Sequence, residues 1–153
     1  HYSETPSIPI ELISQGIMPF SINDTTYMTY LEGDVSLGNM SGYPVSAHVI
    51  ANVQITAGSY YYQFNYLDYC NHWEGSGGYY TLVNRHTSDR TSAYPASSIS
   101  IQIIGMIQVA KDETQSGGIS YTFLQQLGFE MSGTSTSYWY ARKNYNKYIT
   151  LTY

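Results

Sequence analysis

The sequence predicts an all-β fold, an antiparallel β-sandwich or jelly-roll-like domain, and three observations predict it. Val45, Ala47, Val49, Ala51, Val53 and Ile55 are apolar, while Ser46, His48, Asn52, Gln54 and Thr56 between them are polar, with Ile50 the exception. A helix would spread those apolar positions round its surface; a strand puts them on one face. Ala57-Gly58-Ser59 then supplies a turn, and a second alternating run opens at Tyr60. Two such runs with a short Gly-containing link read as an antiparallel hairpin. Finally, turn residues recur at close spacing along the whole chain, which suits a sandwich, jelly roll or partly closed barrel of about nine or ten short strands.

Taken in order, residues 1–7 are polar and read as a lead-in, and 8–153 as a single domain. Ile8, Ile10 and Leu12 alternate, with Pro9 placing that strand at an edge or at its own start. Ile17 to Ile22 is a short apolar run broken by Pro19. Tyr27 to Glu32 and Val35 to Met40 read as two strands separated by a turn at Gly33-Asp34. The hairpin from Val45 follows, and its second strand gives way at Cys70 to a mixed loop that ends in Gly75-Ser76-Gly77-Gly78.

Tyr79 to Arg85 alternates as a strand, and Thr87 to Ser97 reads as a long surface loop. Ile99, Ile101 and Ile103 open another strand; apolar Met106 and Ile107 beyond Gly105 suggest a bulge at Ile104-Gly105. Lys111 to Gly118 is the most charged loop. Thr122 to Gly128 is the one helix candidate, but alternation from Ile119 to Met131 favours a strand. Gly133 to Ser137 is a small-residue turn. Tyr138 to Lys143 and Tyr148 to Tyr153 read as a closing hairpin around Asn144-Tyr145-Asn146-Lys147.

Composition narrows the function. The 153 residues suffice for one domain with its own core. Charged residues are 11%, against about a quarter in an ordinary soluble domain. Polar surface must therefore come from hydroxyls and amides, with 18 tyrosines the outlier. A net charge of -5 disfavours nucleic acid and acidic membrane surfaces as partners. No apolar run approaches the length of a membrane span. One cysteine, Cys70, forbids an intrachain disulfide and leaves the compartment open. Asn23-Asp24-Thr25 and Asn39-Met40-Ser41 fit the glycosylation acceptor pattern. His1 opens the chain without an initiator Met or a leader-like segment, so the expectation is a piece of a longer or processed chain.

No catalytic motif stands out. There is no Gly-x-Ser-x-Gly elbow, and Cys70 has no signature pairing it with a histidine. Asp68 and Glu74 are the only carboxylates flanking an aromatic-rich loop, the arrangement a glycosidase would need. Asp68, His72 and Glu74 are the only metal-like cluster, and their spacing matches no ligand signature. Neither a metal nor a cofactor is implied.

The aromatics carry more. Most tyrosines serve as half-buried strand residues, with the ring on the core and the hydroxyl in water. The excess, beside Ser, Asn and Gly, has the chemistry of a recognition surface, because rigid rings give contact area at low entropic cost. The predicted ligand-binding residues are Tyr69, Asn71, His72, Trp73, Glu74, Tyr79, Arg90 and Tyr94. Trp73 is the expected anchor and Tyr79 the second wall of a groove. Asn71, His72 and Arg90 are placed to bond sugar hydroxyls or a sugar carboxylate.

In character, a small Tyr-, Ser-, Thr- and Gly-rich chain built of strands and ending on one resembles the receptor-binding heads of viral and phage fibres. That resemblance implies a homotrimer at the virion surface or outside the cell, binding a cell-surface glycan or protein receptor without catalysis. The alternatives are a structural or assembly subunit of a pilus or capsid, and a secreted glycan-active enzyme using Asp68 and Glu74.

Overall fold

The computed structural model describes residues 2–3, 24–40, 42–110, 120–135 and 138–153. The strands expected around Ile8–Leu12 and Ile17–Ile22 and the charged loop at Lys111–Gly118 lie outside them. The described strands are β1 (Tyr2–Ser3), β2 (Thr25–Met40), β3 (Tyr43–Ala57), β4 (Tyr62–Glu74), β5 (Thr81–Asp89), β6 (Ile99–Ala110), β7 (Glu130–Ser135) and β8 (Tyr138–Leu151). One short helix, α1 (Tyr121–Gln126), precedes β7.

All pairings are antiparallel, in two four-stranded sheets ordered β1-β2-β3-β4 and β5-β6-β8-β7. The all-β sandwich is therefore as predicted, although Tyr2-Ser3, expected in a lead-in, pairs with Tyr27 and Thr26. The core lies between the sheets. Val45, Ala47, Val49, Ala51, Val53 and Ile55 meet Ile99, Ile101, Ile103, Ile107 and Val109 there, all buried. Each such aliphatic side chain is worth about 1.5–3 kcal/mol in transfer free energy, apart from the smaller alanines. β4 lies against β5 at one side of the sandwich, where Phe64 also bridges to Ala96.

Among the described residues, several strands are longer than expected. β2 runs straight through Gly33-Asp34. A Cβ on Gly33 would come within 2.8 Å of Ile149 and 2.9 Å of Leu151 in the facing sheet. That glycine is there for close approach between sheets, not for a turn. β8 likewise runs through Asn144-Tyr145-Asn146-Lys147, with Tyr145 turned inward opposite Gly105.

Three further expectations are corrected. Tyr121–Gln126 is helical: the Ser120 hydroxyl accepts from the Phe123 N–H as an N-cap, and Leu124 is buried. The bulge expected at Ile104-Gly105 is on β5, between Val83 and His86, where Asn84 has φ 54. Ile104 simply faces outward. Finally, β7 continues to Ser135, past the start of the supposed turn at Gly133.

Candidate functional site

The stretch expected to be a loop from Cys70 is the second half of β4, which stays paired as far as Glu74. Register shifts between Asn52/Val53 and between Gln54/Ile55 each put one extra residue on β4. Two such bulges restore the original phase. Leu67, Cys70, His72 and Glu74 consequently sit opposite buried Val53, Ala51, Val49 and Ala47. Tyr69, Asn71 and Trp73 sit opposite Asn52, Ile50 and His48 on the outer face.

His72 is thereby taken out of any surface site: it is 0% exposed. Its Nδ1 is 2.5 Å from Thr87 Oγ1 and its Nε2 2.7 Å from the Tyr145 hydroxyl. Both partners can donate or accept, so a neutral imidazole is fully satisfied. Burial, aided by the Arg85 cation, lowers its pKa to about 4. Burial also pushes Tyr145 up to about 12. Gly105 leaves the room this needs, since a Cβ there would lie 2.7 Å from the Tyr145 ring. Arg85 closes the arrangement from the β5 side by donating to the His72 carbonyl.

On the outer face, Asp34, His48 and Trp73 form one row across β2, β3 and β4. His48 Nδ1 is 3.0 Å from Asp34 Oδ1, and its Nε2 is 3.1 Å from Glu32 Oε1. A neutral imidazole has one donor and one acceptor, so two carboxylate partners call for the doubly protonated ring. In keeping with this, the bonds to Asp34 and then Glu32 raise the His48 pKa. The Trp73 indole, 36% exposed, lies 5.5 Å from the imidazole, centroid to centroid.

Asp34, Ser46, His48, Trp73, Glu74, Gly75 and Ser76 line a concavity of about 560 Å³, within the usual range for small-ligand sites. Its floor is fixed. The Gly75 N–H donates to the Ser46 carbonyl at 2.9 Å, and the Tyr80 hydroxyl donates to the same carbonyl at 2.8 Å. Glu74 Oε2 accepts from the Leu82 N–H at 2.7 Å, tying β4 to β5.

The eight predicted residues are therefore not brought together. Trp73 and Glu74 line the concavity, while Tyr69 and Asn71 lie further along the same outer face. Tyr79 does not form the second wall; its ring packs on Tyr43 at 4.7 Å, and His48 and Asp34 take that place. Arg90 points its Nε at Gln102 Oε1, 2.8 Å away on the other sheet. Tyr94 is half-buried against the core and donates to Asp89 Oδ2 at 2.7 Å, with its pKa raised to about 12 by burial.

The enzyme and metal constellations come apart as well. Asp68 and Glu74 are separated by six residues of extended strand, about 20 Å, where a glycosidase pair needs about 5–10 Å. Among the described residues no group of three or more His, Cys, Asp or Glu is arranged to hold a metal. Cys70 faces inward, its thiol pKa raised by burial and by the nearby Asp89 charge.

Glu32, Asp34 and His48 were missed as site residues. The signal was present: Glu32 and Asp34, two apart, share a face once β2 is continuous, and His48 is on the polar face of β3. Reading Gly33-Asp34 as a turn hid it. The fold and this groove define an all-β sandwich with a polar, aromatic-flanked cleft on one outer face. No family model, no curated protein and no solved structure matches the chain.

Proposed function

We propose that the chain is a receptor- or glycan-binding head domain of a fibre or surface adhesin, non-catalytic, with the groove beside Trp73 as its recognition site. The observation that carries this reading is the exposed Trp73 indole at the lip of a cleft otherwise lined by carboxylates, hydroxyls and an imidazole. An indole face suits the C–H face of a sugar ring, and the polar lining suits its hydroxyls. No Lys or Arg is among the described lining residues, which favours neutral sugars over acidic ones. The test is a glycan array probed with the wild-type protein and Trp73→Ala. Retention lost in the variant supports the reading; retention unchanged, or none with wild type, overturns it.

A homotrimer belongs to the same proposal. Tyr30, Tyr66 and Tyr69 are exposed large aromatics, and β-strand pairing puts them on the outer face, further along the sheet than the Trp73 groove. Exposed aromatic rings gathered on one face are what a subunit contact would cover. Sedimentation giving a monomer across the micromolar range would remove it. The same face is also what favours the assembly-subunit reading. Tyr30→Ser with Tyr69→Ser would then abolish association and leave no glycan retention to lose.

A further inference from the structure

We propose that His48 is a proton-operated latch on the groove beside Trp73. Protonated, it ties β2 to β3 and holds one wall of the groove; deprotonated, it releases the Glu32 or Asp34 carboxylate and loosens that wall. The effect on binding rests on the recognition role proposed above, whereas the latch itself does not.

The geometry supplies the two states. His48 sits on β3, a strand hydrogen-bonded on both sides, so its backbone is fixed. Glu32 and Asp34 flank Gly33 on β2, are paired with Ile50 and His48 of β3, and have Ile149 and Leu151 of the facing sheet close behind the glycine. Only side chains are left to move, and the two carboxylate side chains are 62% and 71% exposed. With the ring doubly protonated, both nitrogens donate at 3.0 and 3.1 Å. With one proton gone, a nitrogen lone pair would face a carboxylate oxygen at that distance. The contact is then repulsive, and the carboxylate has open solvent to turn into.

Among the described residues, the groups facing His48 come from three strands. From β2 come the charges of Glu32 and Asp34; from β4 come uncharged Trp73 and, along the groove, Glu74, which is held by the Leu82 N–H. Ser46 and Ile50 on its own strand are neutral. Both near carboxylates favour the proton, so release falls above the ordinary imidazole value of 6.5. Trp73 reports the change directly, because an imidazolium in contact with an indole quenches its emission and a neutral ring does so less.

The experiment follows emission of the folded protein from pH 5.5 to 9, taking Trp73 as the difference between wild type and Trp73→Phe. The expected result is a single-proton rise in emission with a midpoint above 6.5. Acrylamide should reach Trp73 more readily on the alkaline side. The midpoint should move down in Glu32→Gln/Asp34→Asn, and the step should vanish in His48→Gln. No step, a step that survives His48→Gln, or unchanged acrylamide access overturns the latch. An array of neutral oligosaccharides read at pH 6 and pH 9 tests its effect on binding: retention should weaken at pH 9 for wild type only. Equal retention at both pH values overturns control of binding by the latch. No retention at either pH overturns the recognition reading, and the fluorescence step then decides the latch by itself.

Discussion

His72 and His48 lie on adjacent strands of one sheet, one facing into the sandwich and one out of it. Both rings have each nitrogen within hydrogen-bonding distance of an oxygen, yet their affinities for a proton move in opposite directions. Inside, the partners are hydroxyls that adapt to a neutral ring, and the charged form has no water to solvate it. Outside, the partners are carboxylates, which favour the charged form, and water is at hand. The inner histidine is thereby a packing residue of the core, and the outer one a responsive residue beside a cleft. What separates them is the phase of β3 and β4, so anything that disturbs that phase or the chemistry of either side tests the contrast.

The largest effect is expected from Val49→Asp. Val49 is 0% exposed and directly opposite His72. An unpaired carboxylate there should cost several kcal/mol. Thermal melting of the variant should show loss of the folded state or a drop of tens of degrees; a wild-type melt would mean that this face of β3 is not core.

Acid comes next. In the unfolded chain the His72 imidazole titrates near 6.5, and in the folded chain near 4. A depressed histidine contributes stability that is full above 6.5 and is lost as the pH falls from 6.5 towards 4. The loss should be on the order of 3 kcal/mol at the lower end. Urea midpoints at pH 7.5 and 4.5 check this. His72→Leu should start lower, with two hydroxyls left unpaired, but should lose less between the two pH values than wild type.

Trp73→Ala acts on the outer side alone. Truncating an aromatic anchor typically costs about 2 kcal/mol of binding, or roughly thirtyfold in affinity. Because the indole packs only on the outer face, melting should stay within a few degrees. A sharp drop in the melting temperature would make Trp73 a structural plug. The smallest effect belongs to His48→Gln, which removes a largely solvated bridge worth at most about 1 kcal/mol. A raised histidine contributes stability below 6.5 and loses it as the pH climbs through its folded value. The variant should therefore differ from wild type at pH 6 and match it at pH 9.

The sequence made some of this contrast legible. The alternation from Val45 to Ile55 identifies β3 and its inner face, and hence the class of fold. Trp73 was expected beside polar residues, and it lines the concavity with Ser46, His48 and Glu74. The rest failed where one residue type serves two physical purposes. Gly33 followed by Asp34 has turn chemistry, yet the glycine is there because Ile149 and Leu151 fill the space its side chain would take. Asn144 to Lys147 also has turn chemistry, but Tyr145 between two asparagines is a strand alternation, pointing its ring at His72. His72 itself, among Asn, Trp and Glu, carries no local mark of burial. Its partners Thr87 and Tyr145 are far away in sequence, and only the pairing of β4 with β3 puts it inside. Arg90 and Tyr94 were grouped with Trp73 by chemistry alone, and the two-sheet topology separates them.

An NMR titration of the histidine ring signals from pH 8.5 to 4 tests the central contrast most directly. Residues would be assigned with His48→Gln and His72→Leu. The expected result is that His48 gives up its proton above 6.5, while His72 stays neutral until the pH approaches 4 or the protein unfolds. Two rings titrating together near 6.5, or His72 protonating before His48, would contradict it.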